Sequence, residues 1–485
     1  MRKFLLLFAV CIFGWVALLS AQIKKVQPPA PSYPLPSAAQ LQWHRMEMNA
    51  FVHFSINTFT DKEWGYGDES PSLFNPTQCN PAQWAKVLKE TGFKTLILTC
   101  KHHDGFCLWP SGYTEHSIKN SPYKNGNGDL VKEVSDAAKA QGLRFGIYLS
   151  PWDRNRADYG TPSYLNYYRN QLKELFTHYG PVFEMWFDGA NGGDGYYGGA
   201  REVRKINGAR YYDWPATLDT VRRFSPSILF FSDAGPGVRW VGNERGVAGE
   251  ANWNSITTDT LYAGKAGIEG LLNTGSPDGK SWIPAEVDVS IRPGWFYHSK
   301  EDSLVKTPER LFNIYLTSVG RGSTLLLNVP PDRRGLLHEA DVKALYGFAD
   351  LLKKEFGHNL AAGAKVISTN VRGGQKRYAA ANLVDGNEES YWATDDAITS
   401  AGVELRLKKK ALVKYIVLQE YIKLGQRVKS FTVDVWKGTA WHNVASATTI
   451  GYKRILKIEP TETERVKIMI TAAKACPVLS NVEVY

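Results

Sequence analysis

At 485 residues the chain is too long for one small domain and holds ample material for a large core. Hydrophobic residues at 43% and charged residues at 22% are those of an ordinary soluble protein, which sets aside a fibrous or disordered chain. The net charge of +10 is scattered apart from short runs such as Lys408-Lys409-Lys410, which reads as a solvated loop, so no stripe suited to nucleic acid is expected. Trp 15 and Tyr 24 are high counts, which fits stacking on flat ligand faces such as sugars as well as core filling.

Residues 1–21 pair Arg2-Lys3 with a long apolar stretch and Leu19-Ser20-Ala21, the layout of a cleavable export signal. The expected mature chain begins near Gln22 and is exported, periplasmic or extracellular, with no later segment apolar enough to span a bilayer. Cys79, Cys100, Cys107 and Cys476 remain, and their irregular spacing predicts free core thiols or at most one bridge, with no zinc pattern. Residues 22–40, rich in Pro, Ala and Ser, predict an extended lead-in.

From there strands and helices alternate. Asn49 to Ser55 predicts a strand with His53 near its end, followed by a loop holding Glu63-Trp64. Pro81 to Glu90 predicts a helix, and Phe93 to Cys100 a strand ending in Lys101-His102-His103-Asp104-Gly105. Asp129 caps a helix to Gln141, then Leu143 to Ser150 predicts a strand tipped by Pro151-Trp152-Asp153. A helix from Tyr164 to Tyr179 leads into Val182-Phe183-Glu184-Met185-Trp186-Phe187-Asp188-Gly189, a buried parallel strand ending in an acid. A loop rich in Gly and Tyr follows, then a helix from Ala216, a strand from Ser227 to Asp233, and a loop to Glu244. Glu286 falls in an acid-rich loop, Pro308 to Val319 predicts a helix, Ser323 to Val329 a strand, and Glu339 to Phe356 a closing helix. Repeated strand, tip and helix units predict a (β/α)8-type barrel over residues 41–357, its polar tips at one mouth. After Gly357 short alternating segments (403–407, 415–420, 430–436, 465–470) predict an all-β sandwich over 358–485.

A barrel mouth with acids, paired histidines, Tyr and Trp, and no phosphate loop or nucleophile elbow, points to glycoside hydrolysis by two carboxyl groups. The stretches Asn49-Ala50-Phe51-Val52-His53-Phe54, Glu63-Trp64, Lys101-His102-His103-Asp104-Gly105-Phe106 and Trp186-Phe187-Asp188-Gly189 together resemble the α-L-fucosidases of glycoside hydrolase family 29. Val238 to Glu244 and Pro284 to His298 look like the subfamily restricted to α-1,3 and α-1,4 linkages.

The resemblance implies Asp188 as nucleophile of a retaining double displacement and Glu244 as general acid/base, with Glu286 its rival. A loop beside the nucleophile strand suits the roughly 5 to 5.5 Å carboxyl separation that retention requires. It further implies His53, Glu63, Trp64, His102, His103, Tyr148, Trp186, Arg239, Glu286 and Trp295 as substrate-binding residues. Asp233 and Glu250 are lesser acid candidates, and Tyr196, Tyr197 and Arg201 are placed to overhang the mouth. No cofactor is implied for catalysis. Leu383-Val384-Asp385-Gly386-Asn387, Tyr391-Trp392, Glu420 and Gly425-Gln426-Arg427-Val428 are similar to discoidin-like domains of the factor 5/8 type, where the Asp-Gly-Asn turn often lies by a structural calcium ion. The partner implied is a fucosylated oligosaccharide or glycoconjugate. A same-fold galactoside hydrolase and a non-catalytic sugar-binding protein are the alternatives, and the oligomeric state stays open.

Overall fold

The computed structural model of the protein describes residues 26–485, and the expected export signal lies outside them. Eight parallel strands close a barrel: β1 Met48–Val52, β2 Thr95–Lys101, β3 Arg144–Leu149, β4 Val182–Trp186, β5 Leu229–Ser232, β6 Val238–Trp240, β7 Ala285–Ser290 and β8 Thr324–Asn328, with β1 pairing β8. Most helices form where the pattern predicts. Asn80 caps Pro81–Glu90 and Asp129 caps Leu130–Ala140 through side-chain bonds to backbone N–H groups, and Glu339–Phe356 closes the barrel.

The lead-in ends earlier than expected. Ser37 and Gln40 make a reciprocal capping box that starts a helix at Ala38–Met46. Gln40 Nε2 donates to the carbonyls of Gly237 and Trp282, 2.7 Å each, at the starts of β6 and β7, so this helix closes the floor of the barrel with a fully buried Trp43.

The strand and helix rhythm breaks between β5 and β7. Asp233 to Gly237 alone joins β5 to β6, so Val238 to Trp240, read from the sequence as loop, pairs in parallel with β5 instead. The connection from β6 to β7 is a long excursion carrying a two-stranded ribbon (Ser255–Ile256 with Ser281–Trp282) and the short helix Glu269–Thr274. Arg239 holds that excursion. Its fully buried guanidinium donates to the carbonyls of Leu272 (2.8 Å), Trp253 (3.0 Å) and Ile283 and to Asn252 Oδ1 (3.3 Å). Arg239 is therefore a brace rather than the substrate-binding residue expected of it: it is fully buried and each of its three guanidinium nitrogens is bonded to the excursion.

The second domain is an antiparallel sheet of seven strands around its own apolar core. Segments read as separate short strands are parts of one 20-residue strand, Ala401–Glu420, paired with the 20-residue Arg454–Ala473. Register shifts between Arg406 and Ala411 and between Val413 and Tyr415 mark bulges, which bend the strand. Lys408-Lys409-Lys410 is exposed strand at that bend rather than loop.

The two domains are stitched together. Gln426 accepts from Asn254 N (2.8 Å) and donates to Asn252 O (3.0 Å), and Thr449 Oγ1 accepts from Asn252 N (2.9 Å). Glu250 pairs with Arg454 (2.9 Å) and Arg321, which takes it out of contention as a catalytic acid. Arg372 and Arg427 of the sandwich donate to the carbonyls of Gln27 (2.7 Å) and Ala30 (2.6 Å), so the lead-in is strapped to the second domain.

Candidate active site

Because side chains alternate along a strand, Asn49, Phe51 and His53 of β1 and its tip share the barrel interior with Tyr148, Trp186, Phe231 and Leu326. Trp186 stacks on Phe231 at 3.8 Å between centroids and on Tyr148 at 5.4 Å, and Tyr148 stacks in turn on His102 at 5.7 Å. That stack is the floor of a pocket at the C-terminal ends of the strands, where a parallel barrel gathers its functional groups.

Asp188 stands just past the end of β4, its side chain 24% exposed. Tyr148 Oη donates to Oδ2 at 3.0 Å and the Ala190 N–H donates to Oδ1 at 2.7 Å, so both oxygens are aimed. His103 Nε2 lies 3.9 Å from Oδ2. Gly189 is required beside it, because a Cβ there would meet Asp233 Oδ2 at 2.2 Å. Asp233 accepts from Gly264 N at 2.7 Å and is pushed up to about 6, by burial first and by the Asp188 charge in addition.

The histidines are neutral. Burial lowers His53 to about 3 and His103 to about 4, and pushes His102 well below the usual imidazole range. Hydrogen-bond networks assign their tautomers. Asn328 Nδ2 donates to Trp295 O (2.8 Å), so its Oδ1 accepts from His53 Nδ1 (2.8 Å) and leaves His53 Nε2 an acceptor. Ser150 Oγ donates to Trp152 O (2.7 Å) and accepts from His103 Nδ1 (2.7 Å), which leaves His103 Nε2 an acceptor facing Asp188. His102 Nδ1 is buried without a partner among the described residues.

Across the mouth, Trp295 Nε1 donates to Glu244 Oε2 at 3.2 Å. Glu244 is exposed at the rim, yet partial desolvation, and then the charges of Asp188 and Glu63, hold its carboxyl above the usual range. Glu63 accepts from Trp295 N (2.8 Å), Phe296 N (3.2 Å) and His298 Nε2 (2.7 Å), which ties its loop to the tip of β7. Trp64, 53% exposed, meets His103 and Trp152 edge-on and leaves a flat face at the rim.

Glu286 lies in β7 and not in a loop, fully buried below the floor, where Trp186 Nε1 donates to Oε2 at 3.2 Å. Both roles expected of it, rival acid and substrate ligand, need a carboxyl at the mouth, and the indole of Trp186 stands between. The stretch 192–205 is a hairpin, Gly192–Gly195 with Glu202–Lys205. Tyr197 is buried in it, accepting from Trp152 Nε1 at 2.9 Å, so it does not overhang the mouth, while Arg201 pairs with Asp68 at 2.8 Å. Asp288, not among the residues the sequence points to, is buried, receives Trp240 Nε1 at 2.9 Å and is held well above the usual carboxylate range by burial and then Glu244. The alternation of Glu286, Asp288 and Ser290 is the signal that would have found it, had 285–290 been read as strand.

Among the described residues no group of three or more His, Cys, Asp or Glu is placed to hold a metal ion. Asp385 accepts within its own turn from Asn387 N (2.8 Å) and Ser390 Oγ (2.7 Å).

A parallel barrel whose mouth sets two carboxyl groups among neutral imidazoles and aromatic faces defines a glycoside hydrolase. The family model described as alpha-L-fucosidase matches residues 30–356, and one described as a NedA-like, galactose-binding domain matches 382–468. Alpha-L-fucosidase 1 of Arabidopsis thaliana is 40% identical, over 94% of this chain and 88% of its own. The solved structure of SpGH29 is 40% identical with a TM-score of 0.87, covering 94% of this chain and 99% of its own. A Ruminococcus gnavus family 29 fucosidase, solved in complex with fucose, is 34% identical with a TM-score of 0.86, covering 95% and 96%. The chain belongs to the α-L-fucosidases of glycoside hydrolase family 29, with a C-terminal factor 5/8 type C domain.

Proposed function

We propose that the protein is an exported, retaining exo-α-L-fucosidase that removes terminal α-1,3- or α-1,4-linked fucose from branched oligosaccharides or glycoconjugates. The observation that carries this reading is the aimed Asp188 carboxylate, held by Tyr148 and the Ala190 N–H, facing the acceptor nitrogen of His103 with Glu244 across the mouth. Asp188 attacks the anomeric carbon while Glu244 gives its proton to the leaving oxygen, forming a fucosyl ester and a free glycan hydroxyl. Glu244 then takes a proton from water as that water attacks the same carbon, releasing fucose with its configuration retained and restoring both carboxyl groups.

The neutral histidines suit a hydroxylated and uncharged ligand, since His53 Nε2 and His103 Nε2 accept from sugar hydroxyls. The floor and Trp295 offer apolar faces to the methyl group of fucose. Incubation with a Lewis-type branched trisaccharide, 2'-fucosyllactose and an aryl fucoside tests the reading. Release from the branched sugar and the aryl fucoside but not from 2'-fucosyllactose supports it in full, release from all three removes the linkage preference, and release from none overturns it.

A further inference from the structure

Beneath the pocket floor lies a sealed polar layer that the proposed chemistry does not use. Glu184 of β4 and Glu286 of β7 are both wholly buried, between Trp43 of the basal helix and Trp186 of the floor. Two carboxylates cannot both ionise at close range in a water-poor interior. We propose that Glu184 and Glu286 share one proton, and that this carboxyl pair positions the Trp186 indole and through it the floor on which Tyr148 orients Asp188.

The donors decide which acid holds the proton. Neither oxygen of Glu184 receives a hydrogen from any N–H or hydroxyl among the described residues, so Glu184 is satisfied only as an acid donating to its neighbour. Glu286 is the acceptor: Trp186 Nε1 donates to its Oε2 (3.2 Å), and its Oε1, which receives no N–H or hydroxyl at hydrogen-bond distance among the described residues, is open to the Glu184 proton. Trp43 and Asn49 also approach Glu286. The remaining neighbours in register are uncharged: Gly146 of β3 and Leu229 of β5 beside Glu184, and Trp240 of β6 and Thr324 of β8 beside Glu286. Asp288, further along β7, is a further titratable group bearing on the layer, its carboxyl pushed well above the usual range by burial and then by Glu244.

The mechanical path is short. Glu286 holds the Trp186 indole, Trp186 stacks on Tyr148 at 5.4 Å, and Tyr148 donates to Asp188 at 3.0 Å. Glu184 and Glu286 are thus positioning residues, acting through Trp186. Burial, and then the Glu286 carboxylate beside it, holds Glu184 well above the ordinary carboxylate range, in the direction the geometry requires.

Two variants of the full chain test the pair. Glu184→Gln replaces the acid O–H with an amide N–H of similar shape, keeping the bond to Glu286 while removing a titrating group. Glu184→Leu removes the donor. A group protonated when folded and ionised when unfolded loses stabilisation as pH rises from about 4.3 towards its folded pKa. The expected melting temperature of the parent therefore falls with pH more steeply than that of Glu184→Gln. The infrared carbonyl band of a protonated carboxyl, present in the parent at neutral pH, weakens in Glu184→Gln. On an aryl fucoside Glu184→Leu loses about ten- to a hundredfold in kcat with KM little changed, and Glu184→Gln restores most of it. An unchanged infrared band together with an unchanged pH slope in Glu184→Gln overturns the shared proton. Equal kcat in Glu184→Leu and the parent overturns the positioning role. The infrared and melting measurements need no substrate, so they stand or fall apart from the fucosidase reading, and Glu184→Gln keeps the test open if Glu184→Leu fails to fold.

Discussion

Glu420 of the sandwich and Asp188 of the barrel are both carboxyl groups at the end of a strand. Glu420 is buried and accepts three backbone N–H groups, from Arg427 (2.6 Å), Val428 (2.9 Å) and Gly451 (2.8 Å), so its capacity is spent within its own domain. Asp188 accepts one backbone N–H and one phenol, remains partly open, and faces an imidazole nitrogen with a free lone pair. The contrast extends outward. The sandwich residues that carry its family resemblance, Gln426 and Arg427, bind the barrel excursion and the lead-in, whereas the histidines of the mouth keep acceptor nitrogens free. One region is built to hold, the other to be completed by a ligand.

The sharpest way to break that contrast is Asp188→Ala, for which turnover falls by at least about a thousandfold while the fold, read by circular dichroism and melting, is kept. Next is Glu244→Ala, which costs about a hundred- to ten-thousandfold on a glycan leaving group and much less on an activated aryl fucoside, with azide restoring turnover. Rescue is the decisive readout here, and Glu286→Ala shows none. In the parent, Glu244 must be protonated to act as the acid, and its pKa lies above the usual carboxylate value, so kcat/KM falls as pH rises through it. Glu244→Ala flattens that alkaline limb on an activated substrate.

Gln426→Ala probes the holding side. It strands buried groups of Asn252 and Asn254 at a destabilisation of about 1–3 kcal/mol, measured by denaturant melting, with only a few-fold change in kcat/KM. A loss of glycan binding without a loss of stability in that variant would turn the brace into a ligand site. Trp64→Ala has the smallest expected effect, raising KM about three- to tenfold by removing one stacking face while kcat stays near the parent.

Much of the mouth was legible because each strand tip carries its own punctuation. An apolar run that stops at His53, His102-His103 or Asp188 announces a buried strand ending in polar groups, and the helices between carry their caps. The β5 to β7 region was not legible for the same reason. Val238-Arg239-Trp240 is too short and too polar to signal a strand, since its buried Arg is satisfied only by carbonyls contributed from residues up to 44 positions away. Glu286 was misplaced because an acid inside a barrel strand contradicts the pattern of buried strands, and only a partner from another strand makes it tolerable.

The sequence by itself determined the barrel, the appended β domain, the family and the tip residues, because periodicity, caps and strand ends are local properties of the chain. Tertiary structure alone decided that Arg239 and Glu250 hold the scaffold, that Glu286 lies under the floor beside Glu184, and that the histidines are neutral acceptors. Those outcomes depend on burial and on hydrogen-bond partners distant in the chain, and neither is written in the spacing of residues along it.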